Sequence, residues 1–428
     1  MSDFRRNAAA AAIATFALIG ASHGQQQAAV SDLSLAEARR LLVDGNRQIR
    51  LASRALNIAS SEIRRADVAP NPTVGALVYN TTAGQYRYGD SDRTLRIEQM
   101  FERGNKRSLR VASAREAERA ARYDVADTTR QQRLAMAQAY YDLVASQYVV
   151  QIALDNVAGY QRLAEAADKR LRAGDIAAVD VSRLRVEASR AANEARAAQG
   201  AVDGARIALA ALLGAEGRAQ NLRAIDDFPA LDSMQSTTGR SSASPERIEA
   251  ALGRRPDARA AIARIAALEK ARDLAISQRT RDVTIGVQAE NAPAYQGTVF
   301  GVSASFPLFV NNDYSGDIAR AQADIAQAGE ELERIRGAIR ADIERADSQL
   351  SSAHDRARRV ANEALPEARR AAEAIEFAFG RGAATLTDLF DARRQLAAVR
   401  IDAIAAHSEF AKAQAAWNEA LATVEEIP

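Results

Sequence analysis

From Lys106 to Arg172 the chain runs for some 67 residues without a proline. Written as one helix at 1.5 Å per residue, that stretch is roughly 100 Å long, far beyond what a globular domain needs. Such a helix requires partners along its whole length. Two shorter helical stretches flank it, at about Leu35–Asp67 and Val179–Leu213. Laid end to end, they nearly equal the long one. The same relation recurs later, with about Ile248–Arg279 and Thr385–Thr423 set against Tyr314–Phe379. The arithmetic predicts a rod of uniform height, built twice. Composition agrees, because 47% of residues are apolar and only 5% aromatic. Small alanine-rich surfaces of that kind let helix backbones approach closely.

Self-similarity makes the duplication explicit. Arg170–Arg185 (RLRAGDIAAVDVSRLR) aligns with Ala378–Arg393 (AFGRGAATLTDLFDAR) at a constant offset of 208, which places Gly174 on Gly382, Asp180 on Asp388 and Arg185 on Arg393. Phe101 falls on Phe309 at the same offset, and Thr73–Asn80 lies opposite Val283–Glu290. The predicted organisation is therefore a first unit over residues 33–214, a polar linker over 215–255 and a second unit over 256–424. Gly159 and Pro366 interrupt the two long helices at nearly matching places. Each is read either as a bend in the rod or as a tolerated surface kink.

Short segments at 73–80, 94–101, 283–290 and 298–306 are read as four strands that alternate with period two. One face carries Leu95, Ile97, Gln99 and Phe101, then Val283, Ile285, Val287 and Ala289, then Phe300, Val302, Ala304 and Phe306. The other carries Thr94, Arg96, Glu98, Thr284, Gln288, Glu290, Ser303 and Ser305. The paired strands are joined by polar loops, Thr81–Arg93 and Asn291–Gly297. Such hairpins pack either on a soluble core or on lipid. The helices are already committed to rods, and lipid accepts strands only as a closed barrel. Four strands cannot close, since barrels need about eight or more. Three chains would supply twelve, apolar outside and polar inside. The fold class expected is mainly α with a small β part.

Charge excludes several functions. Lys and Arg number 57 against 55 Asp and Glu, interspersed along helices, which is a solvated ion-pair pattern rather than a one-signed nucleic-acid footprint. There is no cysteine and only His23, His354 and His407, so neither a thiolate metal site nor a histidine centre is expected; the latter two are read as helix-surface residues. No nucleophile elbow, phosphate-cradling glycine loop or HExxH motif is present, and neither an enzyme nor a cofactor is expected. Arg5 and Arg6, the apolar run Ala8–Ile19 and the small residues before Gln25 resemble a signal peptide over residues 1–24.

Taken in order, VAPNPTV (Val68–Val74), QMFERGNKR (Gln99–Arg107), AYYDL (Ala139–Leu143), RAGDIAAVDVSR (Arg172–Arg183), FPLFVNND (Phe306–Asp313) and GRGAATLTDLFDARRQL (Gly380–Leu396) resemble the TolC-like outer-membrane efflux proteins. The resemblance spans about Leu33 to Val424. The FERGNKR and PLFVNN forms are most similar to the branch serving heavy-metal cation exporters of the cobalt–zinc–cadmium type. It implies a homotrimer with a twelve-strand β-barrel in the outer membrane of a Gram-negative bacterium, continued by a periplasmic α-helical tunnel. It further implies a periplasmic adaptor and an inner-membrane pump of the RND type as partners, with the duct itself passive.

At the tips, Gly174 and Gly382 suit the positive φ of a helix end. Asp180 and Asp388 fall near the start of each returning helix, where a carboxylate meets the positive dipole end. The resemblance marks Gly174, Asp180, Gly382 and Thr385 as adaptor-docking positions and Asp388 with Asp391 as the lining of the periplasmic constriction. Phe379 and Ala384 stand where the family's gate-latching tyrosine and arginine are found, so that latch is not expected in the same form. Open alternatives are a multidrug or protein-secretion duct and, in another class, a periplasmic coiled-coil adaptor or scaffold.

Overall fold

The computed structural model describes residues 31–80, 91–174, 176–231, 243–291 and 297–422. The expected signal peptide, with His23, and most of both polar hairpin loops lie outside the described residues. The chain opens with a short strand β1 (Ser31–Leu33), then α1 (Leu35–Gly45) and α2 (Arg47–Ala66). A hairpin β2 (Thr73–Asn80) and β3 (Ser91–Phe101) precedes the long α3 (Lys106–Ala173), of 68 residues, and its returning α4 (Ala178–Leu213). After β4 (Leu222–Ala224), which pairs in parallel with β1, the order recurs. It runs α5 (Pro245–Arg254), α6 (Pro256–Ser277), β5 (Val283–Asn291), β6 (Thr298–Ser305), α7 (Ser315–Arg359), α8 (Leu365–Gly380) and α9 (Leu386–Ala420).

Helix contacts define a row of four rods. Both α2 and α4 lie along α3; both α6 and α9 lie between α3 and α7; α8 continues α7 beside α9. Three apolar clusters hold the row together. One joins Leu42, Met136, Tyr140, Leu143 and Leu209; a second joins Ile339, Ile343, Leu350, Phe410 and Trp417; a third, nearer the tips, joins Tyr160, Leu184 and Phe390. Among the described residues no helix is long and apolar enough to cross a membrane.

Two expected helices are each broken in two, for identifiable reasons. At Asn46 the backbone is extended, and the buried Asn46 side chain accepts from the Gln48 and Ile49 N–H groups while donating to Gln132 Oε1 (3.0 Å) and the Leu212 carbonyl (2.8 Å). All its polar capacity is used, so the break is locked. At Arg255 the following Pro256 excludes the helical region for the preceding residue. The buried Arg255 guanidinium bonds Asp257 Oδ2 at 2.7 Å and reaches the Ala420 carbonyl at 3.4 Å.

The matched breakers turn out to differ. Pro366 is accommodated by a single π turn, Val360–Ala364, in which the Leu365 N–H reaches back to the Val360 carbonyl. That turn absorbs the lost hydrogen bond. At Gly159, by contrast, α3 continues unbroken. Both histidines are also more enclosed than expected. His354 packs against Phe410 and His407 stacks on Phe228, with rings 5.6 and 6.0 Å apart.

The four strands form one antiparallel sheet in the order β2-β3-β5-β6. Its register aligns Val74, Ile97, Val287 and Val302 in one row and Ala76, Leu95, Ala289 and Phe300 in the next. These rows merge the predicted apolar faces into one, and it is open: Phe300 and Val302 are each 81% exposed. Among the described residues, β2 and β6 each pair with one strand only and form the two edges of the sheet.

Because Asn46 both caps α2 and satisfies the carbonyl end of α4, Asn46→Ala is expected to cost about 1–3 kcal/mol. Gln132→Ala, which removes one of its acceptors, should cost less. Far-UV circular dichroism melts of the detergent-solubilised protein measure both, and an unshifted Asn46→Ala midpoint would refute the double role.

Candidate functional site

The two helical hairpins, α3–α4 and α8–α9, end at neighbouring tips. α3 is stopped by Gly174, whose φ of 83° lets its N–H cap the Arg170 and Leu171 carbonyls. Asp180 lies in the first turn of α4, makes no side-chain cap and sits 3.8 Å from Arg183. At the second tip Gly382 takes a φ of 76°, and Ala383 N–H closes on the Ala378 carbonyl at 2.9 Å.

Thr385 and Asp388 form a reciprocal capping box at the start of α9. Asp388 Oδ2 accepts from the Thr385 hydroxyl at 2.7 Å and from its N–H at 2.9 Å. These bonds, the hydroxyl's first, hold the Asp388 carboxyl below its usual range. The box therefore adds stability at pH values above 3.8, and that stability is lost as pH falls through the lowered value. Asp391 lies three residues on and bonds Arg394 at 2.6 Å. Leu389 and Phe390 are buried between them, so Asp388 and Asp391 share the exposed side of α9. Phe379 and Ala384 are half-buried; beside them Arg381 lies over the Phe377 ring at 4.3 Å.

Sequence reasoning missed the contact that joins the two hairpins. Arg393 Nη2 bonds Glu376 at 2.6 Å across the second hairpin. Its guanidinium also reaches the first hairpin, 5.9 Å from the Tyr160 ring, and Tyr160 in turn packs on Phe390. A β-carbon added at Gly159 would lie 2.6 Å from Arg393 Nη1. Gly159 thus supplies room for an arginine rather than a bend. The signal was available: Asp168 and Glu376 are also 208 apart, and Arg185 bonds Asp168 at 2.9 Å as Arg393 bonds Glu376. The hairpin bridge is duplicated, whereas the reach to Gly159 belongs to the second copy alone.

Four membrane-ready strands open at both edges, mounted on a row of rods with closed tips, define a subunit of an outer-membrane channel of the TolC-like kind. Residues 25–215 and 247–423 match the outer membrane efflux protein family, to which the chain belongs. The family places it in the outer membrane of a Gram-negative bacterium. Among its relatives, the cobalt-zinc-cadmium resistance protein CzcC of Cupriavidus metallidurans is 28% identical over 379 residues, covering 87% of this chain and 86% of that protein. The fold matches the solved channel CusC with a TM-score of 0.76 at 16% identity, over 94% of this chain and 96% of that one. It also matches VceC of Vibrio cholerae, with a TM-score of 0.72 at 17% identity, over 91% and 96%.

The Arg393 contact predicts coupling. Gly159→Ala and Arg393→Ala should each raise amide exchange in the α8–α9 tip while leaving the core around Met136 and Leu209 unchanged. The double variant should be no worse than the worse single one, because both remove the same contact. Additive effects would show that the two residues act separately.

Proposed function

We propose that three copies of this chain close into one duct, the outer-membrane component of a tripartite exporter of heavy-metal cations. The observation that carries this reading is the sheet: an exposed apolar face on a sheet of only four strands among the described residues, which lipid admits only when further copies complete a barrel. Each chain is read as two units, 33–214 and 256–424, joined by the segment 215–255. The likeness to a cobalt-zinc-cadmium resistance protein over 87% of the chain supports the metal substrate.

The duct needs no chemistry of its own and is not an enzyme. An inner-membrane pump of the RND type drives transport, and a periplasmic adaptor docks at the tips around Gly174, Asp180, Gly382 and Thr385. Asp388 and Asp391 line the constriction, where six carboxylates from three chains attract cations. Their local partners shape that role. Arg394 offsets Asp391, and the capping box keeps Asp388 charged below the ordinary carboxylate range, so cation preference should outlast mild acidification. Arg393, seated against Gly159, holds the second hairpin to the first in place of the family's latch.

Deleting the gene in its source bacterium should lower tolerance to cobalt, zinc or cadmium but not to hydrophobic drugs; the reverse pattern would favour a multidrug duct. For the constriction, Asp388→Asn with Asp391→Asn removes charge while leaving an acceptor for the cap. Single-channel recordings in planar bilayers should then show reduced cation selectivity. Unchanged selectivity would exclude these two residues from the pore lining.

A further inference from the structure

The apolar row of β6 does not stop where the strand does. The sheet ladder ends at Ser305, yet alternate positions continue apolar through Phe306, Leu308 and Val310. These side chains are 54%, 69% and 79% exposed. The segment that carries them is fixed in place. Phe309 turns inward, meeting Tyr314 edge-on at 5.3 Å, with the Arg281 guanidinium 5.6 Å above its ring. The Val310 N–H closes on the Leu308 carbonyl at 3.1 Å, and Arg279 Nε donates to the Asp313 carbonyl at 2.9 Å. A well-anchored segment thus holds three large apolar side chains in the open, which water disfavours.

We propose that residues 306–310 form a foot seated in the periplasmic leaflet of the outer membrane. Phe306, Leu308 and Val310 enter the boundary of the acyl chains, and Arg281 and Arg279 meet the phospholipid phosphates. Continuity with the lipid-facing row of Phe300 and Val302 sets the depth. The exposed arginines directly beside the foot supply the complementary charge. This inference rests on the barrel reading given above.

The chain has no cysteine, so single-cysteine labelling has no background. Leu308→Cys, Val310→Cys and, within the barrel, Val302→Cys are labelled with bimane. Each is placed in nanodiscs of phosphatidylethanolamine and phosphatidylglycerol. Brominated acyl chains should quench the probes at 308 and 310, and aqueous iodide should not. Quenching by iodide alone would put the segment in water, and protection from both would bury it between copies; either result overturns the foot. A probe at 302 blind to brominated lipid would instead defeat the barrel reading. In native mass spectrometry, Arg281→Gln should lose bound phosphatidylglycerol relative to the unsubstituted protein, and equal retention overturns the phosphate contact.

Discussion

Backbone groups at a sheet edge have no neutral option inside a lipid bilayer. Each unpaired N–H or carbonyl in hydrocarbon costs on the order of several kcal/mol, and water is not there to relieve it. In this chain β2 and β6 present such edges, while the face between them shows Val74, Leu95, Ile97, Val287, Phe300 and Val302 to the outside. Apolar exposure drives the sheet into lipid, and the open edges prevent it from remaining there alone. The requirement for further copies is thus set by eight-residue strands rather than by the long helices below them.

The helical part inherits the same geometry. Its rods run α2/α4, α3, α6/α9 and α7/α8, so the row ends on one side with α4 and with α2, which leads into β2, and on the other with α7, which follows β6, and its continuation α8. In the trimer proposed above, closure of the sheet would bring the end of one copy's rod row against the other end of the next copy's. Exposed apolar residues on the first flank, Leu51, Ile58, Val179, Val186 and Ile207, suit that contact. Duplication provides the scaffold and divergence between the copies provides specialisation. Arg185–Asp168 and Arg393–Glu376 are the same bridge, but only Arg393 faces a glycine in the neighbouring hairpin.

Periodicity made much of this legible. Alternation along β3, β5 and β6 separates two faces because a strand's side-chain period is two, and the register joins the three apolar sets, Gln99 among them, into one face. The span of α3 followed from its lack of proline and was correct within a residue at its C-terminal end. What could not be read were breaks made by tertiary contacts. Asn46 ends a helix because Gln132 and the Leu212 carbonyl, distant in sequence, complete its hydrogen bonding. Gly159 looked like a helix breaker, and only the position of Arg393 shows why a glycine stands there. Sequence alone puts His354 and His407 on helix surfaces, because nothing local announces their ring contacts with Phe410 and Phe228.

The join between sheet and rods shows how one chain serves two solvents. Before α3 the backbone turns through Gly104 and Asn105, and before α7 through Tyr314, all with positive φ. Asn105 and Tyr314 take nearly the same left-handed conformation, at φ 58° and 59°, which a tyrosine adopts only against a steric penalty. At the first join the turn is fixed by Lys106, 4% exposed, whose three donors meet Asp282 Oδ1, Asp282 Oδ2 and the Thr280 carbonyl, each at 2.8 Å. A buried pair of this kind adds little net stability, since desolvation offsets most of the attraction. Its effect is geometric. Lys106 begins α3 and Asp282 immediately precedes β5, so the pair fixes the direction of a rod of 68 residues to the strand at the centre of the sheet. An error of a few degrees there would displace the tips, some 100 Å away, by several ångströms. The position of the tips at the far end therefore depends on a fully bonded lysine at the near one.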